Sequence, residues 1–135
     1  MTNSITLTDT DKTTLAVAAH GAIALVTAAG VKSAGKIAVA GSLALASATG
    51  PVGHALDEKQ KGLKLDGKTT AQLADQVFPA LTAAMHLLKD QDQAAADDFR
   101  STVLTAVQAG ANAERGGTGP AMTEMIRKIT NALDA

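Results

Sequence analysis

The sequence predicts an all-α protein, a compact bundle of five to six helices with antiparallel neighbours and no sheet. Three observations predict it. Apolar residues recur at three- and four-residue steps, alanine makes up about a fifth of the chain, and helix-start chemistry precedes the apolar runs. Alanine is the best helix former and a poor strand former, and its small side chain lets helix backbones approach closely.

The first helix starts at Thr8, whose side-chain oxygen can cap free amides, with Asp9 and Asp11 complementing the positive helix end. Leu15, Ala19, Ala22, Ile23 and Val26 form its apolar stripe, and Gly30 stops it after Ala29. The second helix spans Ser33 to Ala48. Ile37, Val39, Leu43 and Leu45 lie all round its circumference and Lys36 is its one charge, so it is expected inside. Thr49-Gly50-Pro51 breaks that pattern and restarts it as a short helix to about Lys61, because proline in a first turn loses no bonded amide.

Gly62 to Lys68 reads as a polar connector turned at Asp66-Gly67, and Thr69 with Gln72 opens the next helix as a capping box. Its buried stripe is Leu73, Val77, Leu81, Met85 and Leu88, and Pro79 is expected to bend it near Asp75 to Phe78. After Asp90 to Asp92 a fifth helix runs to about Glu114, with Phe99, Val103, Ala106 and Gly110 on one face and Leu104 and Val107 beside it. Gly116-Gly117 ends that segment. The last helix, Pro120 to Leu133, aligns Met122, Ile126, Ile129 and Leu133 and keeps Arg127 and Lys128 outward. Thr118-Gly119-Pro120 repeats the earlier tripeptide, but the flanks do not align, so it is shared helix-start chemistry and no duplication.

A chain of 135 residues, 46% hydrophobic and 19% charged, is expected to fold as one domain over 1–135, with residues 1–7 a flexible lead. Phe78 and Phe99 are its only aromatic residues, which limits the apolar area each residue can bury. A partner subunit adding to that burial, most simply a homodimer, is therefore expected. The formal net charge of −1 provides no global positive field, so neither nucleic acid nor a membrane surface is an expected partner. A helix-turn-helix reader also needs a basic recognition helix, which the chain lacks.

No cysteine is present, which removes disulfides, thiolate metal sites and cysteine nucleophiles together. Asp9 and Asp11 ahead of the first apolar run give the wrong charge pattern for a secretory leader, so a soluble, cytoplasmic protein is expected. Leu15 to Gly30 and Ile37 to Leu56 are the most apolar stretches. Both are built on Ala, Gly, Ser and Thr and carry His20 and His54, so a buried helical hairpin is expected over a membrane hairpin.

One motif is letter-perfect. Gly62-Leu63-Lys64-Leu65-Asp66-Gly67-Lys68-Thr69 resembles, over those eight residues, the phosphate-binding loop of nucleotide triphosphatases. The resemblance implies that Gly62 and Gly67 shape a loop of amides around phosphates, that Lys68 reaches the terminal phosphates and that Thr69 binds magnesium. In that family the loop follows a buried strand. Here the preceding segment, His54 to Lys61, is charged and helical in pattern, and no apolar strand ending in Asp follows. Gly30 to Lys36 nearly repeats the pattern with Ile37 in place of the hydroxyl, as a chain with 12 glycines readily does. A turn followed by a helix cap is the expected reading, and no cofactor is expected.

The other constellations are thinner. His54, Asp57 and Glu58 share a helical face and form the best metal-ligand grouping, but no second ligand helix accompanies them, so pairing on the helix surface is expected and no metal. Asp90, Asp92, Asp97 and Asp98 lack the glycine and terminal glutamate of a calcium loop. Ser101, Thr102 and Thr105 have no histidine near them in sequence, so no catalytic residue is assigned. Phe78, Met85 and Phe99 can line a small apolar ligand pocket between helices, or be plain core.

In composition and helix order the chain resembles small, uncharacterised all-helical bacterial proteins, a resemblance that implies a fold and no activity. The leading expectation is a non-enzymatic helical interaction module that forms a homo-oligomer, closed either by Phe78, Met85, Met122 and Met125 or by the small-residue faces of the first two helices. A carrier of a small apolar ligand is the second, and a nucleotide-binding protein using Gly62 to Thr69 the third.

Overall fold

The computed structural model describes residues 6–30, 34–48, 50–60, 69–113 and 119–135. Among them it has six α-helices and no strand: α1 (Asp9–Ala29), α2 (Ala34–Ala46), α3 (Gly50–Gln60), α4 (Thr70–Gln91), α5 (Gln93–Asn112) and α6 (Pro120–Asp134). The chain is all-α, and the helices pack into one bundle.

α1 begins where its cap chemistry puts it. Thr8 Oγ1 accepts from Asp11 N at 3.0 Å while Thr8 N donates to the Asp11 carboxylate at 3.1 Å, a reciprocal capping box that satisfies two otherwise orphan amides. Gly30 ends the helix in extended backbone, donating to the Val26 and Thr27 carbonyls. Just ahead of α1, Thr6 N donates to Gln91 Oε1 at 2.6 Å and Gln91 Nε2 donates back to Thr6 O at 2.8 Å. Leu7 packs against the core beside them. The lead expected over residues 1–7 enters the described set at Thr6 and Leu7 only; residues 1–5 lie outside it.

α1 is the spine of the bundle and touches each of the other helices. Leu15, Ala16, Ala18, Ala19, Gly21, Ala22, Ile23, Leu25 and Val26 are all buried, so burial runs around most of its circumference. It is also the one described helix long and apolar enough to cross a membrane. α1 and α4 run antiparallel, since the residues before α1 meet the end of α4 while Gly21 lies against Val77 near the start of α4. A β-carbon at position 21 would run into the Val77 methyls, so glycine is what lets these two backbones come together.

In α4, Leu73, Val77, Leu81, Met85 and Leu88 are buried as their spacing predicts, with Ala84 beside them. The helix continues through Pro79, which is exposed, so the amide that proline lacks falls on the solvent side. Thr69 caps it by accepting from Gln72 N at 3.1 Å. Asp92 then serves both helices at one corner: its N–H donates to Leu88 O at the end of α4, and its carboxylate accepts from Ala94 N at the start of α5.

α5 buries Phe99, Val103, Ala106, Val107, Gly110 and Ala111, and α6 buries Met122, Ile129 and Leu133, with Ile126 half-buried. Thr82 Oγ1 donates to Ala132 O at 2.8 Å, and His86 Nε2 lies 3.1 Å from Ala135 O, so α4 and α6 run in the same direction. Arg100 closes α5 on α6 with a two-pronged contact to Asp134, at 2.7 and 3.0 Å. That guanidinium holds the Asp134 carboxyl below its ordinary value, and Asp134 in turn raises Arg100. A carboxylate in the last turn of a helix opposes the helix dipole, and Arg100 offsets that opposition.

Candidate functional site

α2 departs from expectation. A helix apolar on all sides is expected to be enclosed, yet among its described side chains only Ile37, Gly41 and Leu45 are buried, one row at four-residue steps. Val39 is 60% exposed and Leu43 67% exposed, and these are the exposed large hydrophobic residues of the described chain. The reason is placement: α2 packs against α1, α3 and α5 but lies outside the contacts that α1 makes with α4 and α6. One face of it is covered and the other is bare.

The covered face is fixed closely. Gly110 of α5 lies over Ile37, where an added β-carbon would stand 3.1 Å from Ile37 Cγ2, so α5 approaches as near as a residue without a side chain permits. Farther along, Ala44, Ser47 and Ala48 meet Asp98, Ser101, Thr102 and Thr105 around an open groove of about 230 Å³. Ile37 pairs with Gly110 and the end of α2 pairs with Asp98 to Thr105, so α2 and α5 are antiparallel. The groove is polar, with hydroxyls from Ser47, Ser101, Thr102 and Thr105 and one carboxylate, Asp98. A second, shallower concavity continues along α5 over Leu104, Thr105, Gln108, Ala109 and Asn112.

The outward face of α2 carries Gly35, Lys36, Val39, Leu43 and Ala46, with Ser47 exposed just past its end at the mouth of the groove. Its one charge stands at the start of the helix, and Asp98 stands beside the end. Val39 and Leu43 stand one turn apart on this exposed face, with the small residues Gly35 and Ala46 on either side.

The residues expected to carry chemistry are dispersed. Phe99 and Met85 are buried in the main core with Phe78 packed half-buried against it, and neither concavity along α5 is lined by any of the three. In α3, Glu58 receives both contacts of Lys12 Nζ at 3.3 Å and lies 3.7 Å from His54 Nε2, a surface pairing between α1 and α3. Asp57 belongs to α3, with its side chain outside the described set. Among the described residues no group of three His or carboxylate side chains is placed to hold a metal. His20 is half-buried and its Nε2 donates to Leu56 O at 3.2 Å, since a carbonyl can only accept.

Gly62, Gly67 and Lys68 lie outside the described residues. Thr69 does not: its hydroxyl oxygen is occupied in capping α4, and the element ahead of the motif is the helix α3. No family model, curated protein or solved structure matches the chain.

The sequence offers the small-residue faces of the first two helices as a contact surface, but the expectation that α2 is enclosed hides the exposure of Val39 and Leu43. Its signal was present in the spacing: Ile37, Gly41 and Leu45 make a complete buried stripe by themselves, which leaves Val39 and Leu43 about a quarter-turn or more away.

Proposed function

We propose that the chain is a non-catalytic helical interaction module that works through the outward face of α2. The observation that carries this is the exposure of Val39 and Leu43 on adjacent turns of one helix, while comparable side chains elsewhere in the described chain are buried or half-buried. Burying a valine or leucine side chain fully is worth about 1.5–3 kcal/mol, so covering this pair against a partner supplies a substantial part of a binding energy. The face needs no rearrangement to bind, because Ile37, Gly41 and Leu45 already anchor α2 from behind.

Photocrosslinking tests the reading. A benzophenone amino acid placed at Leu43 is expected to capture a protein in cells, while the same group at Arg127, on the polar face of α6, captures none. Absence of an adduct from position 43, or equal yields from both positions, contradicts it.

A further inference from the structure

We infer that the occupant of this face is a second copy of the chain, docked α2 against α2 in antiparallel register, with Lys36 of each copy entering the α2–α5 groove of the other to pair with Asp98. The inference rests on the reading of α2 as a docking surface and names the partner. Its ground is that the face is its own complement. A two-fold axis at the level of Gly41 sets Val39 of one copy opposite Leu43 of the other, and the reverse contact follows by symmetry. The same operation carries Lys36, in the first turn of α2, to the level of Ala46 on the facing helix.

That end of α2 is where the groove opens. Its lining is small and hydroxyl-bearing, with Asp98 as the single charged group, and its volume of about 230 Å³ admits a long unbranched side chain. A lysine suits such a groove because its methylene stem lies along Ala44 and Ala48 while its ammonium takes hydroxyl and carboxylate oxygens. Lys36 and Asp98 are both exposed in the single chain. One cation at the start of the face and one anion beside its end thus become two equivalent ion pairs at the rim, enclosing an apolar centre of two Val39 and two Leu43 side chains.

Small residues make the approach possible. Gly35, Ala46 and Ser47 flank the two large side chains on the exposed face, so the facing backbones can close until Val39 and Leu43 interdigitate. A 13-residue helix is about 20 Å long, which places the contact at the small end of specific interfaces and predicts a dimer that dissociates on dilution.

Sedimentation velocity of the full chain, from about 1 to about 500 µM, is the test. Wild type is expected to pass from monomer to dimer across that range. Lys36→Glu and Asp98→Lys are each expected to weaken the dimer about tenfold, because both symmetric pairs turn repulsive. The double variant restores the charge pattern and is expected to return to within about threefold of wild type. Leu43→Lys is expected to remain monomeric throughout. Far-UV circular dichroism keeps the result interpretable, since these positions are exposed and the monomer fold is expected to be unchanged.

A monomer at all concentrations overturns the inference, and so does a dimer indifferent to Leu43→Lys. A dimer lost in Leu43→Lys but unmoved by the charge reversals overturns the register and the groove contact. If wild type stays monomeric while the crosslinker at Leu43 captures a different protein in cells, the second copy is wrong and the docking surface stands. If neither dimer nor adduct forms, both fail.

Discussion

α1 and α2 are built from the same residues and end in opposite situations. Each is rich in alanine, each is interrupted by few charges, and each has branched aliphatic side chains on more than one face. α1 is enclosed by its neighbours on most of its circumference, whereas α2 is backed by α1, α3 and α5 and leaves Val39 and Leu43 in solvent. What separates them is the number of surfaces available to cover each, and that is a property of the tertiary arrangement. Apolar character sets how strongly a helix seeks cover. It does not say whether the cover belongs to the same chain.

The comparison breaks first under truncation. Leu25→Ala in α1 is expected to cost about 3–5 kcal/mol in urea unfolding, because Leu25 is fully buried and a cavity remains behind it. Leu43→Ala in α2 is expected to change monomer stability by less than about 0.5 kcal/mol, measured at a concentration where the chain is dilute. Equal losses at the two positions would erase the distinction between the helices.

A second prediction concerns the crossing of α1 and α4. Gly21→Leu forces a side chain into the Val77 methyls and is expected to lower stability by about 1–3 kcal/mol or more, read as a fall in thermal midpoint. A neutral result there would contradict the close approach of α1 and α4 at Gly21.

Smaller effects mark the ends of the buried helices. Thr8→Ala removes the side-chain half of the α1 capping box and is expected to cost about 1 kcal/mol by chemical denaturation. The Arg100–Asp134 contact is expected to contribute less, under about 1 kcal/mol, since both side chains are more than a third exposed. Its sign with pH follows from the lowered Asp134 carboxyl: the contribution is complete above the ordinary aspartate pKa and is lost as pH falls through the lower folded value. Asp134→Asn is expected to reduce the acid-side slope of stability against pH, and an unchanged slope would show that the contact is idle.

The fold was legible where local chemistry decided it. Thr8, Gly30, Pro51, Thr69 and Pro120 mark helix ends through capping or missing amides, and α1, α4 and α6 begin within a residue of where those signals put them. The stripe Leu73, Val77, Leu81, Met85 and Leu88 is read from spacing because the other faces of α4 include exposed polar residues such as Gln72, Asp75 and Lys89. α2 offers less contrast: Lys36 is the one charge on its outward face, and Val39 and Leu43 are as apolar as the buried Ile37 and Leu45. The groove beside it depends on Asp98 and Ser101, about 50 residues away along the chain, which no local pattern connects to Ala44 and Ser47. The Arg100–Asp134 and Lys12–Glu58 contacts are likewise invisible until the helices are placed.

The most direct test of the α2 face is a methyl nuclear magnetic resonance titration of the protein from about 10 to about 500 µM. The Val39 and Leu43 methyl signals are expected to shift or broaden as concentration rises, while those of Leu25 in α1 and Leu81 in α4 stay in place. Val39 and Leu43 signals that do not move with concentration, or movement that appears instead on the outer face of α6, would contradict it.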